Sequence, residues 1–82
     1  MDEIVKKKNR EAFGSYLKNR REKVLKEKNL LKFSYSSNFD NSKLAKIEKG
    51  EIDFQFDTLL EIAETYKLAG KTILGFKLIV EE

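Results

Sequence analysis

Apolar residues recur at helical spacing along the chain, and most positions between them are polar or charged. This spacing is typical of an amphipathic helix. It predicts a first helix over residues 10–28 with an apolar face formed by Phe13, Leu17, Val24 and Leu25. Residues 1–9 either extend this helix or form a separate basic arm, and the pattern does not distinguish the two.

A second, short helix is predicted over residues 31–37, with Asn29 as its N-cap. The aromatic and hydroxyl residues of this segment are also common in strands. We favour a helix because the rest of the sequence offers no partner strand. The candidate core residues of this helix are Leu30, Leu31 and Phe33.

The third helix has clear start and stop signals. Asp40 can cap its first amides, and Gly50 can end it in the left-handed conformation because glycine has no Cβ. Leu44 and Ile47 share one face of the predicted helix, residues 40–49. Lysines recur every three residues on another stripe, at Lys43, Lys46 and Lys49.

Two more helices are predicted near the C-terminus, over residues 57–68 and 71–80. The last one is apolar on more than one face, and a helix of that kind usually buries both sides. We therefore expect a homodimer, with Phe76, Ile79 and Val80 at its interface. The predicted fold class is all-α, with five helices. A single domain would span residues 10–82.

The composition excludes several kinds of site. The chain has 82 residues, no cysteine and no histidine. It therefore lacks disulfides, the usual zinc ligands and the commonest general base. A single small domain also leaves little volume for an enclosed pocket. We expect a protein that is not an enzyme and that needs no metal and no cofactor.

No apolar run approaches the roughly 18 residues that a membrane span needs. The N-terminus also lacks the apolar stretch of a signal peptide. These features predict a cytoplasmic protein with no membrane partner.

The charge is distributed unevenly, although the net charge is only +3. Residues 1–28 hold ten Lys/Arg and five Asp/Glu, residues 29–50 hold four and two, and residues 51–82 hold three and seven. A basic front part followed by an acidic tail suits a protein with one side that faces a polyanion. A solvated, lysine-rich surface would have the same composition.

The segment from Ser36 to Gly50 resembles the Xre/Cro-like (lambda-repressor-like) helix-turn-helix family of bacterial and phage repressors. Its specific part is the string Ile47-Glu48-Lys49-Gly50, followed by Thr58-Leu59-Leu60-Glu61-Ile62-Ala63. Phe13-Gly14 and Arg21 resemble the family's first helix, and the likeness covers about residues 10–76. Relative to that pattern the turn comes about two residues later. The turn glycine is Asn38, and the loop after the third helix reads Asp53-Phe54-Gln55.

The resemblance implies that the start of helix 40–49 enters the major groove of double-stranded DNA. Base contacts are then expected from Asn41, Ser42 and Lys43, and phosphate contacts from Lys46 and Lys49. Lys32 lies near the position at which members of the family use a glutamine side chain to contact a phosphate. The simpler interpretation of these residues is a solvated helix start and ordinary surface lysines. Glu48 is expected to pair with Arg21, since such forks are common between packed helices.

These observations predict a sequence-specific transcriptional regulator, most simply a repressor and in one version autoregulatory. An antitoxin or a restriction-system controller of the same fold is the alternative within this class. The alternative from another class is a helical adaptor that binds a protein, either a toxin or the transcription machinery, instead of DNA. The altered second helix and the absence of arginine from helix 40–49 motivate that alternative.

Overall fold

The computed structural model describes residues 1–68 and the backbone of residues 72–73 and 76–77. The described chain is helical apart from its connections and one short hairpin. Four α-helices and a π-helical turn succeed one another: α1 Glu3–Asn19, the π-turn Arg20–Val24, α2 Leu30–Ser34, α3 Asn41–Glu48 and α4 Phe56–Thr65. The hairpin pairs β1 (Thr72–Ile73) with β2 (Phe76–Lys77) in antiparallel register.

The first helix starts earlier than residue 10. Asp2 caps it by accepting a hydrogen bond from the backbone N–H of Val5 at 3.0 Å, and α1 begins at Glu3. Residues 3–9 are therefore an extension of the helix rather than a separate arm. The extension carries Lys6, Lys7 and Lys8 on an exposed stretch of regular helix.

The π-turn changes the second half of the predicted first helix. A π-turn holds about one residue more than an α-turn, and its characteristic bond runs here from Leu25 N–H to the Arg20 carbonyl at 2.9 Å. The added residue rotates the rest of the helix about its axis, so Val24, which we expected in the core, is 57% exposed. Helical structure ends at Val24 instead of residue 28.

The caps expected from the sequence are confirmed. The side chain of Asn29 accepts from Lys32 N–H at 3.0 Å, and that of Asp40 accepts from Lys43 N–H at 2.7 Å. Gly50 ends α3 with φ of +74°, in the left-handed region. The segment that also resembled a strand is α2, a helix of five residues.

The core lies between α1, α3 and α4. Its fully buried side chains are Leu17, Leu44, Ile47, Ile62 and Tyr66. Phe33 of α2 packs against Tyr66 with ring centroids 5.0 Å apart. Two apolar side chains of α2 stay outside this core, since Leu31 is 49% exposed and Tyr35, at its end, 75% exposed.

The fifth helix predicted over residues 71–80 is wrong, because Thr72–Ile73 and Phe76–Lys77 pair as strands. The segment combines β-branched and aromatic residues with Gly75, and these residue types are poor helix formers. The described residues thus form four α-helices rather than five. Phe76, Ile79 and Val80, the expected dimer contacts, lie outside the residues whose side chains the structure describes. Within the described residues, no helix is both long enough and apolar enough to cross a membrane.

Candidate nucleic-acid interface

The N-terminal turn of α3 lies open to solvent. Asn41, Ser42 and Lys43, the expected base contacts, are all exposed and adjacent on the first turn. The Asp40 carboxylate is engaged as the N-cap of this turn. An amide, a hydroxyl and an ammonium group are therefore presented together at the tip of a capped helix.

The outer face of α3 is uniformly basic. Lys43, Lys46 and Lys49 are exposed, whereas Leu44 and Ile47 are buried on the opposite face. The acid of this helix, Glu48, is also turned inward and is 8% exposed. Every ionisable side chain that α3 presents to solvent, including its C-cap, is thus a lysine.

Glu48 is neutralised by the predicted partner. Arg21 grips its carboxylate with two bonds, from Nη2 to Oε1 at 2.8 Å and from Nε to Oε2 at 2.9 Å. The remaining Arg21 nitrogen donates to the carbonyls of Glu27 and Lys28, both at 3.0 Å. The expected Arg21–Glu48 pair is confirmed. Through Arg21 it links the π-turn, the segment that precedes α2, and α3.

Tyr66 completes this network from α4, donating its hydroxyl to Glu48 Oε2 at 2.6 Å. The hydrogen bond with Glu48 raises the pKa of Arg21 above its ordinary range. Burial, followed by the bond to Glu48, raises the pKa of the Tyr66 hydroxyl well above its usual value. Among residues 1–68, no buried side-chain polar atom is left without a hydrogen-bond partner. The network therefore holds α3 in place with its polar groups satisfied.

The raised pKa of Tyr66 makes stability sensitive to alkaline pH. A group with a raised pKa in the folded state contributes its full stability below the unfolded value, near pH 10 for tyrosine, and loses it as pH rises further. We expect the free energy of unfolding to fall above about pH 10, by as much as ~1.4 kcal/mol per pH unit from this group. Urea titrations at pH 8 to 11 test this against Tyr66→Phe, whose curve should fall less steeply. Parallel curves for the two proteins would contradict it.

The connection between α2 and α3 is held by short polar contacts. Ser37 Oγ lies 3.0 Å from the carbonyls of Ser34 and Phe39 and accepts from the Phe39 N–H at 3.0 Å. Asn38 donates to Glu61 Oε2 of α4 at 2.7 Å. These bonds fix the position of α3 relative to α2 and α4.

The ammonium groups of Lys43 and Lys32 each lie near another side chain of the protein. Lys43 Nζ lies 5.5 Å from the ring centroid of the buried Phe39, within the range of a cation–π interaction. Lys32, expected to contact a phosphate, is exposed at the last turn of α2, with its Nζ 4.0 Å from a Glu27 oxygen. A phosphate would compete with this carboxylate for Lys32.

The α3–α4 connection is acidic. Glu51 and Asp53 are exposed there, and Asp57 is exposed on the first turn of α4. These carboxylates disfavour the approach of a polyanion to this side. Phe54, as expected, is partly buried and packs against the core and against Phe13, with ring centroids 6.0 Å apart.

Sequence reasoning missed three features of this site. Tyr66 was assigned only to the apolar face of α4, because nothing local marks its hydroxyl as a partner of Glu48. Gly14 allows α1 and α3 to meet backbone to backbone, since a Cβ there would lie 2.6 Å from the Ile47 carbonyl oxygen. Arg20 donates to the carbonyls of Tyr66 and Lys67 at the end of α4, both at 2.6 Å. The available sequence signal concerned Gly14 and was weak: it is a glycine on the core side of an amphipathic helix.

Comparison of the chain with protein-family models, with curated proteins and with solved structures gave no match in any of the three. Within the described part of the chain, no three acidic, histidine or cysteine side chains cluster as a metal would require. The proposed function therefore rests on the chemistry of the exposed side chains.

Proposed function

We propose that this protein binds double-stranded DNA in a sequence-specific way and regulates transcription, most simply as a repressor. One observation carries the proposal: α3 turns its single acid inward to Arg21 and presents only lysines, an amide and a hydroxyl as its exposed polar groups. The order of a short helix, a turn over residues 35–40 and a second helix supports it. So does the resemblance of this segment to the Xre/Cro-like repressors.

The residue types on α3 match the two parts of duplex recognition. Lysines on phosphates supply affinity that does not depend on sequence, whereas side chains on base edges supply specificity. The major groove, about 12 Å wide, admits an α-helix. In this arrangement Asn41, Ser42 and Lys43 read bases, while Lys46 and Lys49 contact phosphates.

A small core favours association of two copies. We propose a two-fold dimer that reads a near-palindromic operator with half-sites about 34 Å apart. Sedimentation of the protein with and without duplex measures the stoichiometry directly.

The decisive experiment is fluorescence-anisotropy binding of duplex DNA over a range of salt concentrations. We expect Lys43→Ala/Lys46→Ala/Lys49→Ala to lower the slope of log K against log salt by about 1.8, since the phosphate contacts of Lys46 and Lys49 are lost and each contributes roughly 0.9. Affinity at 0.1 M salt should fall about 100-fold or more. A random duplex pool and the DNA upstream of the gene serve as the two targets.

The matched control replaces Lys18, Lys23 and Lys28 with alanine, which removes the same charge from exposed positions outside α3. This control should keep most of the affinity. Equal losses in the two variants would mean that only net charge matters, and no binding by the wild type would refute the proposal.

The second candidate function is a protein-binding adaptor. Leu31 and Tyr35 lie one turn apart at α2, and both are largely exposed. Apolar side chains in such a pair suit contact with another protein, such as a toxin or the transcription machinery. Sequence-blind binding of DNA, or none, would favour this function.

A further inference from the structure

A polar cavity of about 350 Å³ lies where α1 meets the C-terminal end of α3. Its lining residues are Lys7, Arg10, Glu11, Lys49, Gly50 and Glu51. The cavity is formed by the helical extension of α1 together with the residues that end α3. It is separate from the first turn of α3, where the base contacts are proposed.

Close backbone contact creates this juxtaposition. Gly50 lies so near α1 that a Cβ would be 2.7 Å from the Arg10 carbonyl carbon and 2.5 Å from the Glu11 nitrogen. The end of α3 is thereby pressed onto α1 beside Arg10. Lys49, immediately before Gly50, joins Lys7 and Arg10 around one cavity.

Arg10 differs from the other two arginines of the chain. Arg20 and Arg21 donate to carbonyls and to Glu48, so their guanidinium groups are engaged within the protein. Among residues 1–68, the Arg10 guanidinium donates no hydrogen bond to another protein group. Yet Arg10 is half-buried at the α1–α3 contact. With respect to residues 1–68, its donors are therefore free to bind an external acceptor.

The two lysines of the cavity are also available. Within the described residues, neither Lys7 nor Lys49 lies within 4.0 Å of a carboxylate oxygen, whereas the neighbouring Lys6 is 3.7 Å from Glu3. Glu11 and Glu51 also line the cavity, so its three basic residues exceed its two acidic residues by one charge. A phosphodiester, which carries a single negative charge, matches that excess better than a dianion does.

We infer that Lys7, Arg10 and Lys49 bind a backbone phosphate of the same duplex that α3 enters. The inference rests on the proposed function and extends it. Lys43, Lys46 and Lys49 form one basic stripe along α3, and the cavity continues that stripe onto α1. The helical extension thus provides a second point of attachment to the DNA backbone. Arginine suits this role because its planar fork matches two phosphate oxygens.

The test compares Lys7→Gln/Arg10→Gln with the control Lys18→Gln/Lys23→Gln, which removes two positive charges farther along the same helical segment. Binding of the selected duplex is measured across salt concentrations. We expect the slope of log K against log salt to fall by about 0.9 in the first variant, since one phosphate contact is lost. It should change much less in the control. Lys7→Gln alone, which leaves the half-buried Arg10 in place, should lower the slope by about half as much.

Phosphate-ethylation interference locates the contact. Ethylation of one or two particular phosphates should weaken binding by the wild type and the control, but should no longer affect Lys7→Gln/Arg10→Gln. An unchanged interference pattern in that variant, with an unchanged slope, would overturn the inference while α3 still binds. If the wild type itself shows no salt-dependent binding, the proposed function fails, and the inference fails with it.

Discussion

Replacement of Glu48 with alanine is expected to destabilise the protein by about 3–5 kcal/mol, since removal of one partner leaves the other charge buried. The side chain of Arg21 is only 3% exposed, so water has little access to its guanidinium. The same change removes the acceptor of the Tyr66 hydroxyl. A domain of this size has only about 5–15 kcal/mol of stability in total. The variant should therefore be close to its unfolding midpoint at modest urea concentrations.

Urea denaturation followed by circular dichroism measures this loss. Glu64→Ala, which removes an exposed carboxylate from α4, is the matched control and should change stability by no more than about 0.5 kcal/mol. Glu48→Gln should fall between the two because an amide can still bond to Tyr66 and to one Arg21 nitrogen. A small effect of Glu48→Ala would mean that the pair is solvated in solution and does not hold α3.

Gly14→Ala is expected to destabilise the protein by roughly 3 kcal/mol or more, at the upper end of the cost of overpacking. The direction of the change in stability is informative, because at an exposed helical position the replacement of glycine with alanine adds about 1 kcal/mol of stability. At Gly14 the new methyl group would lie 2.6 Å from the Ile47 carbonyl oxygen and 2.7 Å from the Glu48 carbonyl carbon. These are backbone atoms, so relief requires that α1 and α3 separate.

Thermal and urea unfolding of Gly14→Ala provide the measurement. Ser15→Ala, at the adjacent exposed position of α1, is the control and should leave stability nearly unchanged. We also expect Gly14→Ala to weaken DNA binding at temperatures where it remains folded, because α3 would shift relative to α1. Stability equal to or above that of the wild type would show that the two helices are farther apart than the structure places them.

Part of the candidate site was predictable from the sequence because its signals are local. Asn29 and Asp40 cap helices through amides three residues ahead. Gly50 ends α3 because it adopts a conformation that other residues avoid. The spacing of Leu44 and Ile47 among the lysines predicted which face of α3 is buried and which is exposed. The Arg21–Glu48 pair, 27 residues apart in the sequence, was also predicted, because Arg–carboxylate forks are common between packed helices.

The sequence by itself therefore determined the all-helical character of the main body, the ends of its central helices and the basic outer face of α3. Only the tertiary structure decided the π-turn, the exposure of Val24 and the place of Tyr66 beside Glu48. It likewise decided the cavity that unites Arg10 with Lys49. The physical reason is range: a cap or a helical face depends on neighbours within a few residues. The network and the cavity depend on how closely two helix backbones approach, and that distance is settled by all the side chains between them.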